Sequence, residues 1–375
     1  MNFIVSSSEL LRALSSGLKV ITKTTSPILE NFLFNLKDNR LEITASDSET
    51  ILKTTIDIEN VREEGAVAVP AKILTDLLKE FPDVPLEFTT LEDGTTIELK
   101  WANGVQSIPF FDPEYYPADP KMGQEFSTAV INSEDLLNGI GYTLYATADE
   151  VLRPVMNGIL FDLAPEGTSL VASDSHKLVC YTHSGINAKE KSSFILPKKP
   201  ASILKGLLSR SDEPVNIRFD GKNAHFSFQN IILIGRLVEG TYPAYRSVIP
   251  KNNPNKLILH RQDLLNAAKR VSICSNPATS SLKFTISYNE LNISAQDLNS
   301  SISANENVPC QYDGDPLEIG FKSPFLIDIL TNLPYDDICF ELANNALATL
   351  IVNATPSPDD KEDICTLLMP VRITY

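Results

Sequence analysis

At 375 residues the chain is long enough for two to three domains that each bury a core, which excludes a small fold held by disulfides. With 43% hydrophobic and 21% charged residues it has the composition of a globular protein, not of a disordered one. Against 32 Lys+Arg stand 48 Asp+Glu, a net charge of -16 that, taken as a whole, argues against a polyanionic partner.

In chain order the first predicted element is a strand, NFIVS, leading into a helix over 6–23 behind a serine-rich cap. No basic run precedes its apolar residues, and Glu9 and Arg12 interrupt them, so this start does not read as a signal peptide. At about 100° per residue, Leu10, Leu14, Leu18 and Ile21 share one face, with Arg12, Lys19 and Lys23 opposite it. Strands of mixed alternation follow, RLEITASD among them. A shorter helix over 71–80 then sets Lys72 and Lys79 away from Leu74 and Leu77. KMGQEFS, at 121–127, has linker composition.

The same order then recurs. FSTAVI leads into a helix over 133–148 that has no basic residue, and further strands lead to a helix over 198–210 with Lys198, Lys199 and Lys205. After NAHFSFQNIILIGRLV comes a second linker, KNNPNK, at 251–256. KLILH, a helix over 261–272 carrying Lys269, more strands and a helix over 322–332 complete the chain. Nowhere do the ~18 uncharged apolar residues of a membrane span occur. Each round holds two helices against strand-rich sheet, an α+β pattern.

The rounds are repeats. FNLKDNRLEITASDSET from Phe34 resembles FDLAPEGTSLVASDSHK from Phe161 and, more weakly, FTISYNELNISAQDLNS from Phe284. Asp47, Asp174 and Asp297 keep the same place inside these blocks, and Leu10, Leu136 and Leu264, near the start of each round, lie 126 and 128 residues apart. Pro70 matches Pro197, and Tyr116-Pro117 matches Tyr242-Pro243. A period near one third of the chain is far above the roughly 20–50 residues of solenoid repeats, so the expectation is three tandem copies of one domain, at 1–122, 127–250 and 255–375.

The six predicted helices hold thirteen Lys/Arg and seven Asp/Glu, a balance of +6, which leaves -22 on the rest of the chain. Basic residues on an exposed helix face often do no more than solvate it. An asymmetry of this size also permits phosphate contact without base readout, and no helix carries the aromatic interleaving of a single-strand binder.

Cys180, Cys274, Cys310, Cys339 and Cys365 are odd in number and never spaced as CxxC, which points to a reducing, cytoplasmic setting. Ser173-Asp174-Ser175-His176 supplies the residue types of a hydrolytic triad, but adjacency in sequence is not triad geometry, and Asp47 in ASDSE occupies the matching repeat position. A shared structural turn is the expectation. His176, His183, His225 and His260 show no metal-binding spacing, and no glycine-rich phosphate loop occurs, so neither metal nor cofactor is expected.

RPVMNGILFD (153–162), ASDSHKLV (172–179), EGTYPAYRSVIP (239–250) and LLMPVR (367–372) resemble the beta subunits of bacterial DNA polymerase III, and the resemblance runs the length of the chain. It implies a non-catalytic sliding clamp: a head-to-tail homodimer whose six domains close a ring around duplex DNA, helices inward, tethering the polymerase. By position it implies DNA contact by Lys23, Lys72, Arg153, Pro154 and Val155, to which the helix faces add Arg12, Lys19, Lys79, Lys198, Lys199, Lys205 and Lys269. It implies a groove for short peptides of the polymerase III catalytic subunit, the clamp loader, other polymerases and repair proteins. The matching positions are Met156, Ser173, Ser175, His176, Lys177, Leu178, Pro243, Val248, Met369, Pro370, Val371 and Arg372. Adaptable Met and Leu walls suit varied apolar anchors. Ile108 and Ile273 match dimer-contact positions. A repeat-built interaction scaffold without a DNA role is the alternative that the residues leave open.

Overall fold

The Ser6 hydroxyl accepts a hydrogen bond from the Glu9 backbone N–H (3.3 Å) and opens the first helix as its N-cap. In the computed structural model, which describes residues 1–21 and 26–373, six α-helices stand against antiparallel sheet. They are α1 (Ser7–Gly17), α2 (Ala71–Lys79), α3 (Ser133–Thr143), α4 (Lys198–Leu208), α5 (Arg261–Ser272) and α6 (Ser323–Asn332). The fold is α+β, as the sequence pattern implies.

The first helix is shorter than its periodicity predicts. It ends at Gly17, where a Cβ would stand 2.8 Å from the Phe32 ring, and Lys19 falls in the turn beyond it. A residue without a side chain lets the end of the helix pack close over Phe32, and beyond it the Lys19 and Val20 N–H groups turn to the carbonyls three residues back, Ser16 (3.3 Å) and Gly17 (2.9 Å). Lys23 lies outside the described residues. With the observed helix limits, the helices carry nine Lys/Arg against six Asp/Glu, so their balance falls to +3 and the division of charge is milder than the predicted spans suggest.

The chain splits into two compact units, residues 1–137 with 199–237, and residues 138–198 with 238–375. In the first, an eight-stranded sheet runs in the order Ser127–Ile131, Val215–Phe219, Asn223–Phe228, Ile231–Arg236, Thr50–Asp57, Arg40–Ser46, Asn31–Lys37, Gly65–Pro70. Its centre is a seam at which Ile231–Gly235 pair with Thr54–Thr50. A five-stranded sheet ends at the edge strand Gly104–Pro109. In the second unit a nine-stranded sheet has its own seam, where Lys177–His183 pair with Leu368–Glu362. A four-stranded sheet there ends at Ile302–Val308.

The repeat landmarks are core residues. Phe34, Phe161 and Phe284 are fully buried, each beside a second ring: Phe88, Phe194 and Phe321 respectively. Leu10, Leu136 and Leu264, each near the start of one helix of its round, are all buried. Large apolar groups that leave water completely stabilise by roughly 1.5–3 kcal/mol each, which gives these positions their weight in every copy.

Ile108 does not have the orientation that an interface contact needs. On the strand Gly104–Pro109 its side chain points inward and is 2% exposed, while Val105 faces out at 54%. Strand side chains alternate between faces, so the register of this strand decides which of them a partner can reach. Ile273, just past α5, is exposed at 77%.

Candidate peptide groove and basic helix faces

The ASDSH sequence forms a tight turn between the strands Gly167–Ser173 and Lys177–His183. The Asp174 carboxylate accepts from the backbone N–H groups of His176 (2.9 Å) and Lys177 (2.8 Å), and the Ser173 hydroxyl accepts from the Ser175 N–H (3.2 Å) and donates to the Lys177 carbonyl (2.9 Å). Ser175 adopts the left-handed conformation, φ 73°. In the first repeat Asp47 accepts from the N–H groups of Glu49 (3.0 Å) and Thr50 (2.6 Å), Ser46 from that of Ser48 (3.1 Å), and Ser48 has φ 77°. The two turns are one device used twice. Its serine and aspartate are spent on backbone groups, so the triad-like residue types serve structure here.

The terminal MPVR run docks on this turn. The Met369 N–H donates to the His176 carbonyl (2.9 Å) and the Val371 N–H to that of Gly320 (2.8 Å). A Cβ on Gly320 would stand 2.7 Å from the Val371 oxygen, so only glycine admits this crossing. Met156 reaches the turn from another direction: its sulfur lies 3.7 Å from the Ser175 hydroxyl, which also accepts from the Arg153 guanidinium (2.8 Å).

The third wall is the segment 242–249. Tyr245 donates its hydroxyl to the buried Asp162 carboxylate (2.9 Å), and the Arg246 guanidinium pairs with the same group (3.0 Å). Burial pushes the Tyr245 hydroxyl pKa well above its usual value, so it stays a donor. This tether sets Tyr242 into an apolar cluster with Leu160, Val171, Leu178 and Leu367, and leaves Pro243 and Val248 exposed above it. Cys180 and Cys365 face each other across the seam in this region, and burial pushes the Cys365 thiol up to about 12, so it is inert as a nucleophile.

The positions expected to line a groove therefore divide by exposure. Ser175, His176, Pro243, Val248, Met369 and Arg372 are exposed, with Pro370 and Val371 half-buried beside them. Met156, Ser173, Lys177 and Leu178 are buried and support that surface. Lys177 is the clearest case: its ammonium sits 2.6 Å from the Asp174 carboxylate and 4.5 Å from the centre of the Phe325 ring. Phe325, in α6, also stacks on the His176 ring at 5.3 Å. Sequence reasoning missed Phe325. Its one signal is a large aromatic in the first turn of a helix, directly after Ser-Pro.

The basic residues differ in how free they are. Among the described residues, Arg12, Lys19, Lys72, Lys205 and Lys269 have no ion pair to their side chains. Arg12 and Arg210 line a cleft of about 230 Å³ between α1 and α4. Lys79 pairs with Asp76 (2.9 Å) and Lys198 with Asp149. Lys199 donates to the Asp47 carboxylate and the Val20 carbonyl, so its charge is largely neutralised. Pro154 is exposed, whereas Val155 packs against the apolar cluster that holds Tyr242 and Leu178.

Three family models match the chain: the N-terminal domain of the DNA polymerase III beta subunit at residues 1–120, the central domain at 130–244 and the C-terminal domain at 246–372. A beta sliding clamp from Vibrio cholerae is 26% identical over 377 residues, and one from Haemophilus influenzae is 27% identical over 377, each covering 100% of both chains. Among solved structures, the DNA polymerase sliding clamp from Pseudomonas aeruginosa superimposes with a TM-score of 0.93 at 26% identity and full coverage of both chains. A sliding clamp from Bartonella birtlesii bound to griselimycin gives 0.91 at 27% identity, again with full coverage.

Proposed function

Because the chain belongs to the DNA polymerase III beta subunit family of sliding clamps, we propose that it closes as a head-to-tail homodimer around duplex DNA in the cytoplasm and tethers the replicative polymerase. The observation that carries this reading is the meeting of the ASDSH turn, the MPVR run and the tethered segment 242–249 around one apolar cluster, the surface we read as the groove. An extended peptide with apolar side chains fits such walls. The polymerase III catalytic subunit, the clamp loader, other polymerases and repair proteins are the partners we assign to it.

Ring closure needs two complementary edges. The strands Gly104–Pro109 and Ile302–Val308 each end a sheet, with one row of backbone groups unpaired within their own sheets. Pairing the first strand of one copy with the second of its partner, twice by a two-fold operation, leaves no free edge for further growth. In this arrangement Val105, Ile302 and Ile273 supply the exposed apolar contacts, and Ile108 acts from the core beneath.

A ring linked to DNA by topology needs no tight contact. Unpaired cations such as Arg12, Lys19, Lys72 and Lys269 can meet phosphates without fixing a register, so the ring slides. Retention on nicked circular DNA after loading by the cognate loader tests the reading. The clamp stays on circles and leaves once they are linearised; indifference to topology would instead support a DNA-free interaction scaffold. In the same assay Arg12→Glu with Lys72→Glu should lower loading several-fold and weaken its salt dependence, with the dimer unchanged. Equal loading would remove both residues from the DNA face.

A further inference from the structure

The repeat that builds the peptide groove also builds a second cleft, in the first unit, from matching positions. The strand Ile231–Arg236 pairs with the first-repeat turn as Glu362–Leu368 pairs with the second, with Gly235 opposite Thr50 and Leu368 opposite Lys177. The residue after each pair makes the same backbone bond: Arg236 N–H to the Glu49 carbonyl (2.8 Å), and Met369 N–H to the His176 carbonyl (2.9 Å). Pro117 takes the place of Pro243 and Ser48 that of Ser175. The result is a cleft of about 280 Å³ lined by Ser48, Glu49, Pro117, Lys222, Asn223 and Arg236.

Its chemistry differs from that of its counterpart. Where the groove presents Met369 and His176, this cleft presents Arg236 and Glu49. Arg236 makes one contact to Glu49, at 3.2 Å through a single nitrogen, which leaves the rest of its donor fork open. The Lys222 backbone carbonyl accepts from the Leu237 N–H (2.7 Å), which holds Lys222 beside the end of the same strand, and among the described residues its ammonium has no partner. Two cations, Arg236 and Lys222, and one carboxylate, Glu49, thus line the cleft. Asp220 and Asp119 stand at its margin, but both are engaged: Asp220 accepts from the N–H groups of Gly123, Lys222 and Asn223 (2.7 Å each), and Asp119, between the lining residues Ala118 and Pro120, pairs with Lys53. With both rim carboxylates engaged, the open donors of Arg236 and the Lys222 ammonium match a single carboxylate, and Glu49 beside them disfavours a row of phosphates.

We propose that this cleft is a second docking site, which takes an extended peptide through one Asp or Glu side chain held by Arg236 and Lys222. The peptide part rests on the reading of the apolar groove; the carboxylate part rests on the cleft's own cations.

The test is an array of immobilised hexapeptides with Asp or Glu fixed at each position, beside identical peptides with Asn or Gln and a set rich in Leu and Phe, probed with the labelled full-length dimer. Carboxylate peptides should be retained at least tenfold better than their amides. Arg236→Gln with Lys222→Gln should bring the two to parity, while Met369→Glu abolishes retention of the Leu/Phe set and leaves the carboxylate preference intact. A preference that survives Arg236→Gln with Lys222→Gln, or no preference in the unsubstituted protein, overturns the proposal. So does a result in which the two cations govern retention of an oligothymidylate probe and not of the peptides, since the site is then one for phosphate. Failure of the Leu/Phe set alone would instead count against the apolar groove. Both substituted residues are exposed, so an unchanged thermal midpoint accompanies the expected result.

Discussion

Deleting Met369–Tyr375 is expected to lower the affinity for apolar linear peptides by at least a hundredfold, about 2.7 kcal/mol, while the dimer stays intact. The cut falls after Leu368, the last residue of the strand Glu362–Leu368, so the seam with Lys177–His183 keeps every pair. What leaves is the exposed Met369 side chain, the half-buried Pro370 and Val371, and the backbone bonds to His176 and Gly320. Few residues carry most of the energy of such a site, and a flexible thioether in a groove wall is a natural anchor. Peptide titration by fluorescence anisotropy and sedimentation of the truncated protein check the two halves of the expectation. A monomeric product would mean that the segment also supports assembly. Met369→Glu, which keeps the segment, then isolates the groove: peptide affinity that survives this single change would remove Met369 from the binding surface.

The second large effect is expected at Asp162, which contacts no proposed ligand. Asp162→Ala should cost about 2–3 kcal/mol of stability, since the Tyr245 hydroxyl loses its acceptor and Arg246 its counter-charge. Tyr245→Phe removes one hydrogen bond and should cost about 1 kcal/mol. The distinguishing consequence is in binding: once the segment 242–249 is freed, Pro243 and Val248 no longer hold the groove wall, and peptide affinity falls about tenfold. Urea unfolding and peptide titration of both variants measure this. A destabilised Asp162→Ala protein with unaltered affinity would show that the segment holds its place without the tether.

Much of the architecture was legible in the sequence because its signals are repeated. A Phe that must be buried in every copy, an Asp whose carboxylate closes a turn and a buried Leu near the start of a helix each recur at intervals of 123 to 128 residues. What was not legible depends on contacts distant along the chain. Nothing near Lys177 announces that Phe325 will cover its ammonium, and nothing near Lys199 announces that Asp47 will take its charge. Ile108 has the composition of an interface residue, yet the register of one strand turns it inward. The limit of α1 is not legible because the apolar periodicity continues past Gly17, while the backbone bonds of Lys19 and Val20 tighten there to three-residue turns.

The two seams have a consequence for how this chain can be cut or rearranged. The middle repeat lends the strand Ile231–Arg236 to one large sheet and Lys177–His183 to the other, so the unit of duplication is not the unit of folding. Excised as residues 127–250, it would expose two long edges, IILIGR and KLVCYTH, each rich in β-branched and apolar residues, the combination that templates aggregation. Each copy of the ancestral domain has thus become dependent on its neighbour for a strand partner. A graft, permutation or fusion that respects the seams should be tolerated better than one that respects the repeats.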